Sequence, residues 1–375
     1  MTTMESRAEF ERSRQLTVPR RRVGSAAVAI GSRYGLVLVL VLVTIVFSVL
    51  SPNTFATTSN FTSIANNYSI TLLLALAVLP PLLVGEFDFS VTGTFGVVNA
   101  VVAHLVLEQG ASIWVAIVVA LAVGAIVGIV NAFAVVKLGV NSLIATLGTG
   151  TILIGCANGI ASTGTIVAQP QHVNGQTVVF GFPDWFLFLG QGQIFGLGVP
   201  FLIAMVAVVA TWFVIDKTAT GRRLIATGGN ASAARLSGVN TDKMVFGGFI
   251  ASGLLSAFAG VLMTALLGSG QTNIAASFLL PAYAGAYLGA TTIRPGRVNA
   301  WGTLVGVYLV GVCVAGLQQL GVSSWVQDVF NGAALVVAVA ASGQLTRLLR
   351  AGALRGRSAP DRSRPSADAA QSPTT

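Results

Sequence analysis

Ten stretches of mostly apolar residues, most of them close to the length that crosses a lipid bilayer, recur along this chain. A membrane-spanning helix needs about 20 such residues. The stretches lie at residues 33–50, 64–84, 90–107, 113–136, 143–161, 197–215, 244–267, 278–293, 298–317 and 325–341. Charged residues make up only 9% of the chain, against roughly 25% in a soluble domain. We therefore expect an all-α integral membrane protein with about ten transmembrane helices.

Basic residues cluster beside the apolar stretches. Of the 21 lysines and arginines, 18 lie in three groups: the first 33 residues, residues 217–243, and the residues after 344. Lys and Arg next to spanning helices stay on the cytoplasmic side. This pattern predicts that both termini are cytoplasmic. It also explains the net charge of +9 by membrane topology, so we expect no nucleic-acid partner.

The same patterns divide the chain into three parts. Residues 1–32 are predicted to be a basic cytoplasmic tail, residues 33–342 a transmembrane domain, and residues 343–375 a disordered cytoplasmic tail. Residues 162–196 lack Lys and Arg and should form an external loop, whereas residues 217–243 should form a cytoplasmic loop.

Prolines interrupt the second and the eighth apolar stretch at comparable places. Pro80 and Pro81 lie in the first of these, and Pro281 lies in the other. Interrupted spans at matched positions favour two pseudo-repeated halves with broken helices around a central pathway. Ordinary proline kinks, which membrane helices tolerate, are the alternative.

Two carboxylates, Glu86 and Asp88, lie in a short segment between apolar runs. A charge at mid-membrane costs about 2.5–3.5 kcal/mol, so these groups need water, a partner or an interface. The segment either lines a solute pathway, holds a broken helix by hydrogen bonds, or is a cytoplasmic turn with both acids solvated. Intramembrane amides and hydroxyls can bind sugars or tie helices together. The candidate pathway residues are Glu86, Asp88, Ser90, Asn131, Thr146 and Gln318.

A short helix is predicted inside the basic 217–243 loop. Gly228-Gly229-Asn230 is typical of a turn in which Asn230 caps the following helix. Gly238 would then end that helix. Because the helix is rich in Ala and carries one Arg, it has little apolar surface to bury in its own protein. It either docks in a groove of a partner or is a solvated connection.

The sequence carries no recognisable catalytic motif. None of the three lysines follows a glycine, as a phosphate-binding loop requires. The two histidines and the two cysteines, in unrelated places, form neither a catalytic set nor a metal-binding spacing. We expect no enzymatic activity, no bound metal and no cofactor in this chain.

Several of these segments resemble the permease subunits of bacterial ABC importers for ribose, xylose or galactose, within the branched-chain amino acid and monosaccharide permease family. The resemblance covers roughly residues 72–342, and its motifs lie at 85–91, 128–132, 144–149, 221–222, 228–238, 288–290 and 301–306. Three departures are visible. Glu86 replaces a glycine of the family pattern, Thr92-Gly93-Thr94 replaces its common Gly-Ser, and the basic segment 293–297 replaces a Gly-rich turn. These departures leave the solute open.

The resemblance implies a set of partners and a membrane. An external binding protein would deliver a monosaccharide or a similar polar solute, and a second permease copy or a paralogue would complete the pathway. Separate ABC ATPase subunits would bind ATP and Mg. The chain would lie in the inner or plasma membrane of a bacterium. The implied ATPase-coupling residues are Gly228, Gly229, Asn230, Ala233, Ala234, Arg235, Leu236, Ser237 and Gly238.

Two other functions compete with this one. An ion-coupled secondary transporter would use Glu86 and Asp88 as a proton relay and would need no ATPase. A membrane enzyme or scaffold would need neither a pathway nor a docking helix. The match at residues 228–238 favours the ABC permease, because a secondary transporter has no use for an ATPase-docking helix.

Overall fold

The computed structural model describes residues 23–161, 163–173, 176–294 and 296–357, and these are mostly helical. The helices are α1 (Val23–Leu50), α2 (Thr58–Ala77), α3 (Leu79–Val84), α4 (Val91–Ala103), α5 (Ile113–Val136), α6 (Ser142–Ile160), α7 (Asp184–Gln191), α8 (Val199–Lys217), α9 (Ala219–Gly229), α10 (Ala231–Leu236), α11 (Thr241–Leu267), α12 (Leu279–Gly289), α13 (Ala300–Gln319) and α14 (Ser324–Arg357). A π-helical turn (His104–Glu108) follows α4, and a 3-10 turn (Ala275–Phe278) precedes α12.

The strands of the described residues form three short antiparallel pairs. They are β1 (Thr165–Ile166) with β6 (Gly270–Gln271), β2 (Pro170–Val173) with β3 (Gln176–Val179), and β4 (Gln193–Ile194) with β5 (Leu197–Gly198). In register, His172 pairs with Thr177 and Ile194 with Leu197. Strands β4 and β5 lead into the start of α8, and the basic segment begins at its end. We call the end of the molecule with α9 and α10 the basic end.

Seven helical segments of the described residues are long and apolar enough to cross a membrane: Thr58–Val84, Val91–Glu108, Ile113–Val136, Ser142–Ile160, Val199–Lys217, Thr241–Leu267 and Ala300–Gln319. Shorter apolar stretches lie in α1 at Tyr34–Leu50 and in α14 at Trp325–Ala341. The predicted all-α membrane fold is confirmed. The count of ten spans stays a prediction, because α12 has only 11 residues.

Helix α2 lies at the centre of the bundle. Its residues 70–77 are all buried, including Leu72, Leu73 and Leu76, as expected for a helix that is apolar on every side. Helix α11 packs against α2, α3, α4, α5 and α7. Helix α6 lies at the periphery, and only 17% of its most apolar 18-residue stretch is buried. Its exposed face is therefore open to lipid or to another protein.

Glycines allow α12 and α13 to pack backbone to backbone. A methyl group added at Gly302 would clash with the carbonyl oxygen of Gly289, and one at Gly306 would clash with that of Gly285. Close packing of this kind is how membrane helices associate without a hydrophobic driving force. It gives a physical reason for the two C-terminal glycine motifs of the sequence.

The structure differs from the sequence-based boundaries in several places. Helix α1 begins at Val23, within the predicted 1–32 tail, and α14 continues to Arg357, where disorder was predicted. Residues 1–22 and 358–375 lie outside the described residues. The predicted external loop contains β1 to β4 and α7, and the predicted 217–243 loop is mostly helical.

Candidate functional site

Residues 85–90 form a non-helical break between α3 and α4. Pro80 and Pro81 lie in the first turn of α3, and Gly85 follows it with a φ of 90°, a conformation that glycine adopts without strain. The chain becomes helical again at Val91. A break inside a membrane protein leaves backbone groups that must find partners within the protein. Those partners determine how the segment is held.

Helix α6 binds the break through two hydroxyl side chains. The Phe87 N–H donates to Ser142 Oγ at 3.2 Å, and the Phe89 N–H donates to Thr146 Oγ1 at 3.0 Å. Thr146 Oγ1 in turn donates to the Ser142 carbonyl oxygen at 2.7 Å. One face of α6 therefore supplies a ready-made pair of acceptors, one helical turn apart, for alternate residues of the extended segment.

Helix α12 binds the break from another helix of the bundle, through Tyr283. Its hydroxyl accepts a hydrogen bond from the Asp88 N–H at 3.1 Å and donates one to the Asp88 carbonyl oxygen at 2.8 Å. The Tyr283 ring stacks on Phe89 with centroids 4.8 Å apart, and Phe87 and Tyr287 extend the stack at 6.1 and 6.4 Å. An aromatic stack therefore runs from the break along α12.

The Asp88 carboxylate is fixed by neutral donors. Its Oδ1 accepts hydrogen bonds from the Ser90 N–H at 3.0 Å and from Ser90 Oγ at 2.6 Å. Asn131 Nδ2 on α5 donates to Ser90 Oγ at 2.7 Å. Asp88 is 2% exposed, and no ion pair to it is present among the residues that the structure describes. The solvated-turn interpretation is therefore wrong for Asp88, whose hydrogen bonds hold the broken helix.

The break brings four of the six candidate pathway residues into one buried cluster: Asp88, Ser90, Asn131 and Thr146. Glu86 is only partly buried beside it. Gln318 lies elsewhere, at the C-terminal end of α13, where it is exposed and donates to Gln327 Oε1 at 2.7 Å. Gln318 is therefore separate from the cluster. Among the described residues, no hydrogen bond connects Gln318 to it.

The predicted short helix forms as α10. Asn230 Oδ1 accepts from the Ala233 N–H at 3.0 Å, and Gly238 has a φ of 82° after the helix ends. Gly228 and Gly229 differ from the prediction, since they form the last turn of α9 and not a free turn. A side chain at Gly228 would clash with the carbonyl oxygen of Leu83. Close contact with α3 therefore explains why a glycine lies within this helix.

Helix α10 presents one large apolar side chain to the outside. Leu236 is 91% exposed, whereas Ala234 is 5% exposed and faces its own protein. Arg235, one of the implied coupling residues, donates to Thr241 Oγ1 at 2.6 Å and to Asp242 Oδ1 at 3.1 Å. Leu236 and the exposed Ala233 are thus available to a partner, and Arg235 ties α10 to α11.

A second charged contact braces the basic end. Arg294 and Arg297, from the loop after α12, both donate to Asp216 at the end of α8, the latter at 3.4 Å. Burial lowers the pKa of Arg297, as does the neighbouring Arg294, while Asp216 acts in the opposite direction. The Asp216 side chain is 5% exposed. The loop after α12 is therefore attached to the α8–α9 connection.

Sequence reasoning missed the groups that hold the break from outside it. Ser142 and Tyr283 lie 55 and 195 positions from their partners, so no local pattern connects them. The exposure of Leu236 was also missed, although a lone leucine in an Ala- and Ser-rich helix is a usable signal. Among the described residues, no cluster of side chains fits a metal ion.

The chain is similar to known transport permeases. A family model described as "Branched-chain amino acid transport system / permease component" matches residues 60–339. No solved structure gave a significant match. The ribose import permease protein of Escherichia coli (strain K12) is 34% identical over 308 residues, covering 81% of this chain and 91% of its own length.

Two further relatives carry other solutes in their names. The D-allose transport system permease protein of Escherichia coli (strain K12) is 29% identical over 308 residues, covering 82% of this chain and 90% of its own. The autoinducer 2 import system permease protein of Yersinia enterocolitica is 30% identical over 267 residues, covering 71% and 78%. The resemblance to sugar-importer permeases is thereby confirmed. The chain belongs to the branched-chain amino acid transport system / permease component family.

Proposed function

We propose that this chain is the membrane-spanning permease subunit of an ABC importer for a monosaccharide or a similar polar solute. The observation that carries the proposal is α10, a capped helix at the basic end that exposes Leu236 and continues from a helix packed on the broken segment. The family match supports it, as do relatives named for ribose and D-allose import. The ion-coupled alternative finds no support in these relatives.

The basic end faces the cytoplasm in this proposal. Residues 217–243 contain five basic side chains. Lys137 and the Arg294–Arg297 loop also lie at the basic end, since Arg297 binds Asp216 and the end of α5 packs on the start of α11. Residues 162–196, with no Lys or Arg, then face outward. Both termini lie inside the cell, and the membrane is the bacterial inner or plasma membrane.

A partner ATPase, which binds ATP and Mg, docks on α10. Leu236 enters an apolar pocket of the partner, where an anchoring side chain contributes most of the binding energy. Ala233 lies beside it with a small surface that lets the two proteins approach closely. Ala234 supports the helix from within the chain, and the contacts of Arg235 with Thr241 and Asp242 position α10.

Coupling passes through the contact of α9 with α3. Because Gly228 packs directly on the Leu83 carbonyl, a displacement of α9 must also displace the end of α3. That end leads into residues 85–90, whose hydrogen bonds to α6 and α12 hold the break. ATPase closure thus changes the position of the segment that contains Asp88.

A second permease copy or a paralogue faces α6. Beside the exposed Ile144, Leu147 and Ile152, its outward side carries small and polar residues: Gly148, Thr151, Gly155, Asn158 and Gly159, all exposed. Small residues allow close helix approach, and exposed hydroxyl and amide groups can form hydrogen bonds with sugar hydroxyls. The pathway therefore runs along this face, with Asp88, Ser90, Asn131 and Thr146 behind it as the packing that positions α6.

An external binding protein docks on the platform formed by the β2–β3 hairpin and α7. Gln171 Nε2 on the hairpin donates to the Leu107 carbonyl at 3.0 Å, and Gln191 Nε2 on α7 donates to the Leu266 carbonyl at 3.1 Å. The platform is thereby attached to the π-helical turn after α4 and to α11. Contact there can reach the spanning helices directly.

Uptake of a panel of labelled monosaccharides tests the proposal, in vesicles that contain this permease with its candidate ATPase and binding protein. We expect one sugar to be taken up with ATP, and Leu236→Asp to abolish uptake and ATPase co-purification at normal permease levels. Leu138→Asp, at a 65% exposed leucine outside α10, should leave both intact. Uptake that is independent of the ATPase and follows a proton gradient would overturn the proposal.

A further inference from the structure

A narrow apolar groove runs along the bundle between α8 and α11, with a volume of about 300 Å³. Ala210 and Val214 line it from α8, Gly247, Ala251 and Leu255 from α11, and Pro80 of α3 forms its floor. Gly247 opens the groove, since a Cβ added there would have no atom within 4 Å. No side chain of the described residues fills the groove.

The length of the groove fits one leaflet of a bilayer. From Lys243 at its mouth to Leu255 it follows α11 for about 18 Å, at 1.5 Å per residue. Half of a hydrocarbon core is about 15 Å. The mouth lies at the basic end, so the groove begins at the level of lipid headgroups and extends toward the bilayer centre.

The mouth is positively charged. Lys243 lines it and is exposed, and Thr220 lies beside it in the first turn of α9. The N-terminus of a helix favours an anion, and it adds to the lysine charge. The neighbouring carboxylates are already in ion pairs, because Asp242 pairs with Arg235 and Asp216 pairs with two arginines. An anion at the mouth therefore meets a net positive environment.

We infer that this groove binds an anionic phospholipid of the cytoplasmic leaflet, with one acyl chain between α8 and α11 and the phosphate at Lys243. An acyl chain matches the apolar walls, and a basic mouth between helices on the cytoplasmic side selects an acidic headgroup. The bound lipid touches Pro80 of α3 and Leu224 of α9. It thus bridges the two elements on either side of the Gly228 contact and stabilises the arrangement in which they are seen.

Native mass spectrometry of the full-length permease tests this, with dioleoylphosphatidylglycerol and dioleoylphosphatidylcholine as probes. We expect one phosphatidylglycerol to bind in preference to phosphatidylcholine. Lys243→Gln should weaken that binding about fivefold, the factor equivalent to the roughly 1 kcal/mol contributed by one basic residue at a membrane surface. Gly247→Leu, which places an apolar side chain in the groove, should remove the bound lipid.

Two matched variants serve as controls. Lys137→Gln removes an exposed lysine at the same end, and Gly35→Leu adds a leucine where α1 also leaves a Cβ without neighbours. Both should bind phosphatidylglycerol as the wild type does. Equal retention of the two lipids, or wild-type binding by Lys243→Gln, would overturn the inference and would assign Lys243 to another partner. The readout does not depend on transport, so it is separate from the test of the proposed function.

Discussion

At the scale of single residues, Tyr283 is the most informative side chain of the break. One hydroxyl pairs with both the N–H and the C=O of Asp88. Tyr283→Phe leaves these two buried groups unpaired, and each costs about 1–3 kcal/mol. We expect a lower unfolding temperature in detergent and reduced uptake, measured by thermal unfolding and vesicle transport. Tyr287→Phe, which keeps the same aromatic stack, is the control, and equal stability of the two variants would contradict this role.

Asp88 accepts two hydrogen bonds from Ser90, and we expect this contact, and not proton transfer, to be its role. Asp88→Asn retains an oxygen for the Ser90 N–H and hydroxyl, so we expect uptake within about threefold of the wild type. Asp88→Ala removes the acceptor and leaves a buried donor unpaired, with a larger loss of stability and uptake. Transport assays with and without an uncoupler distinguish the roles. A complete loss in Asp88→Asn would show that the charge itself is required.

At the scale of elements, adjacent glycines of α9 give a matched pair. Gly228 packs against the Leu83 carbonyl, whereas a side chain at Gly229 would meet no atom within 4 Å. Replacing glycine by alanine favours the helical conformation by about 1 kcal/mol at either position. We expect Gly228→Ala to keep ATPase binding but lower uptake, and Gly229→Ala to keep both. Co-purification and uptake are the measurements, and equal uptake by the two variants would exclude this contact from coupling.

How far the sequence predicted these elements depends on where their determinants lie. Seven of the ten predicted spans and the Asn230 cap are present, because they follow from neighbouring residues that hydropathy and capping rules can detect. Gly228-Gly229 was predicted to form a free turn, because glycines usually end a helix, but both residues lie in the last turn of α9. The contact with the Leu83 carbonyl explains why position 228 is a glycine. The partners of residues 87–89 depend on how α6 and α12 pack. The separation of Gln318 from the cluster could not be predicted, because polarity alone does not reveal the end of the bundle at which an amide lies.

At the scale of the whole molecule, α11 connects the two ends. Its 27 residues span about 40 Å, from the Arg235–Asp242 pair near α10 to the Gln191 contact of α7. A rigid helix of this length allows a protein that docks at one end of the molecule to affect the other end. This arrangement requires that the basic end and the β4–β5 end lie on opposite sides of the membrane.

Cysteine labelling tests that orientation. Leu236 and Phe195 are exposed at opposite ends, the latter fully and at the tip of the β4–β5 hairpin. In a background with Cys156 and Cys313 replaced, we expect Phe195→Cys in intact cells to react with a membrane-impermeant maleimide. Leu236→Cys should react only after the membrane is opened. The reverse pattern would invert the proposed topology.

The way in which the break is held has a consequence for the solute itself. Its three consecutive N–H donors all bind to alcohol or phenol oxygens, and alcohol oxygens are the groups that a sugar carries in abundance. When α6 or α12 moves away from the segment in the proposed coupling, a polyol that enters from the pathway beside α6 supplies a hydroxyl acceptor in place of Ser142, Thr146 or Tyr283. Opening the segment in the presence of such a cargo therefore leaves no backbone donor unpaired, whereas opening it to hydrocarbon would leave all three without an acceptor.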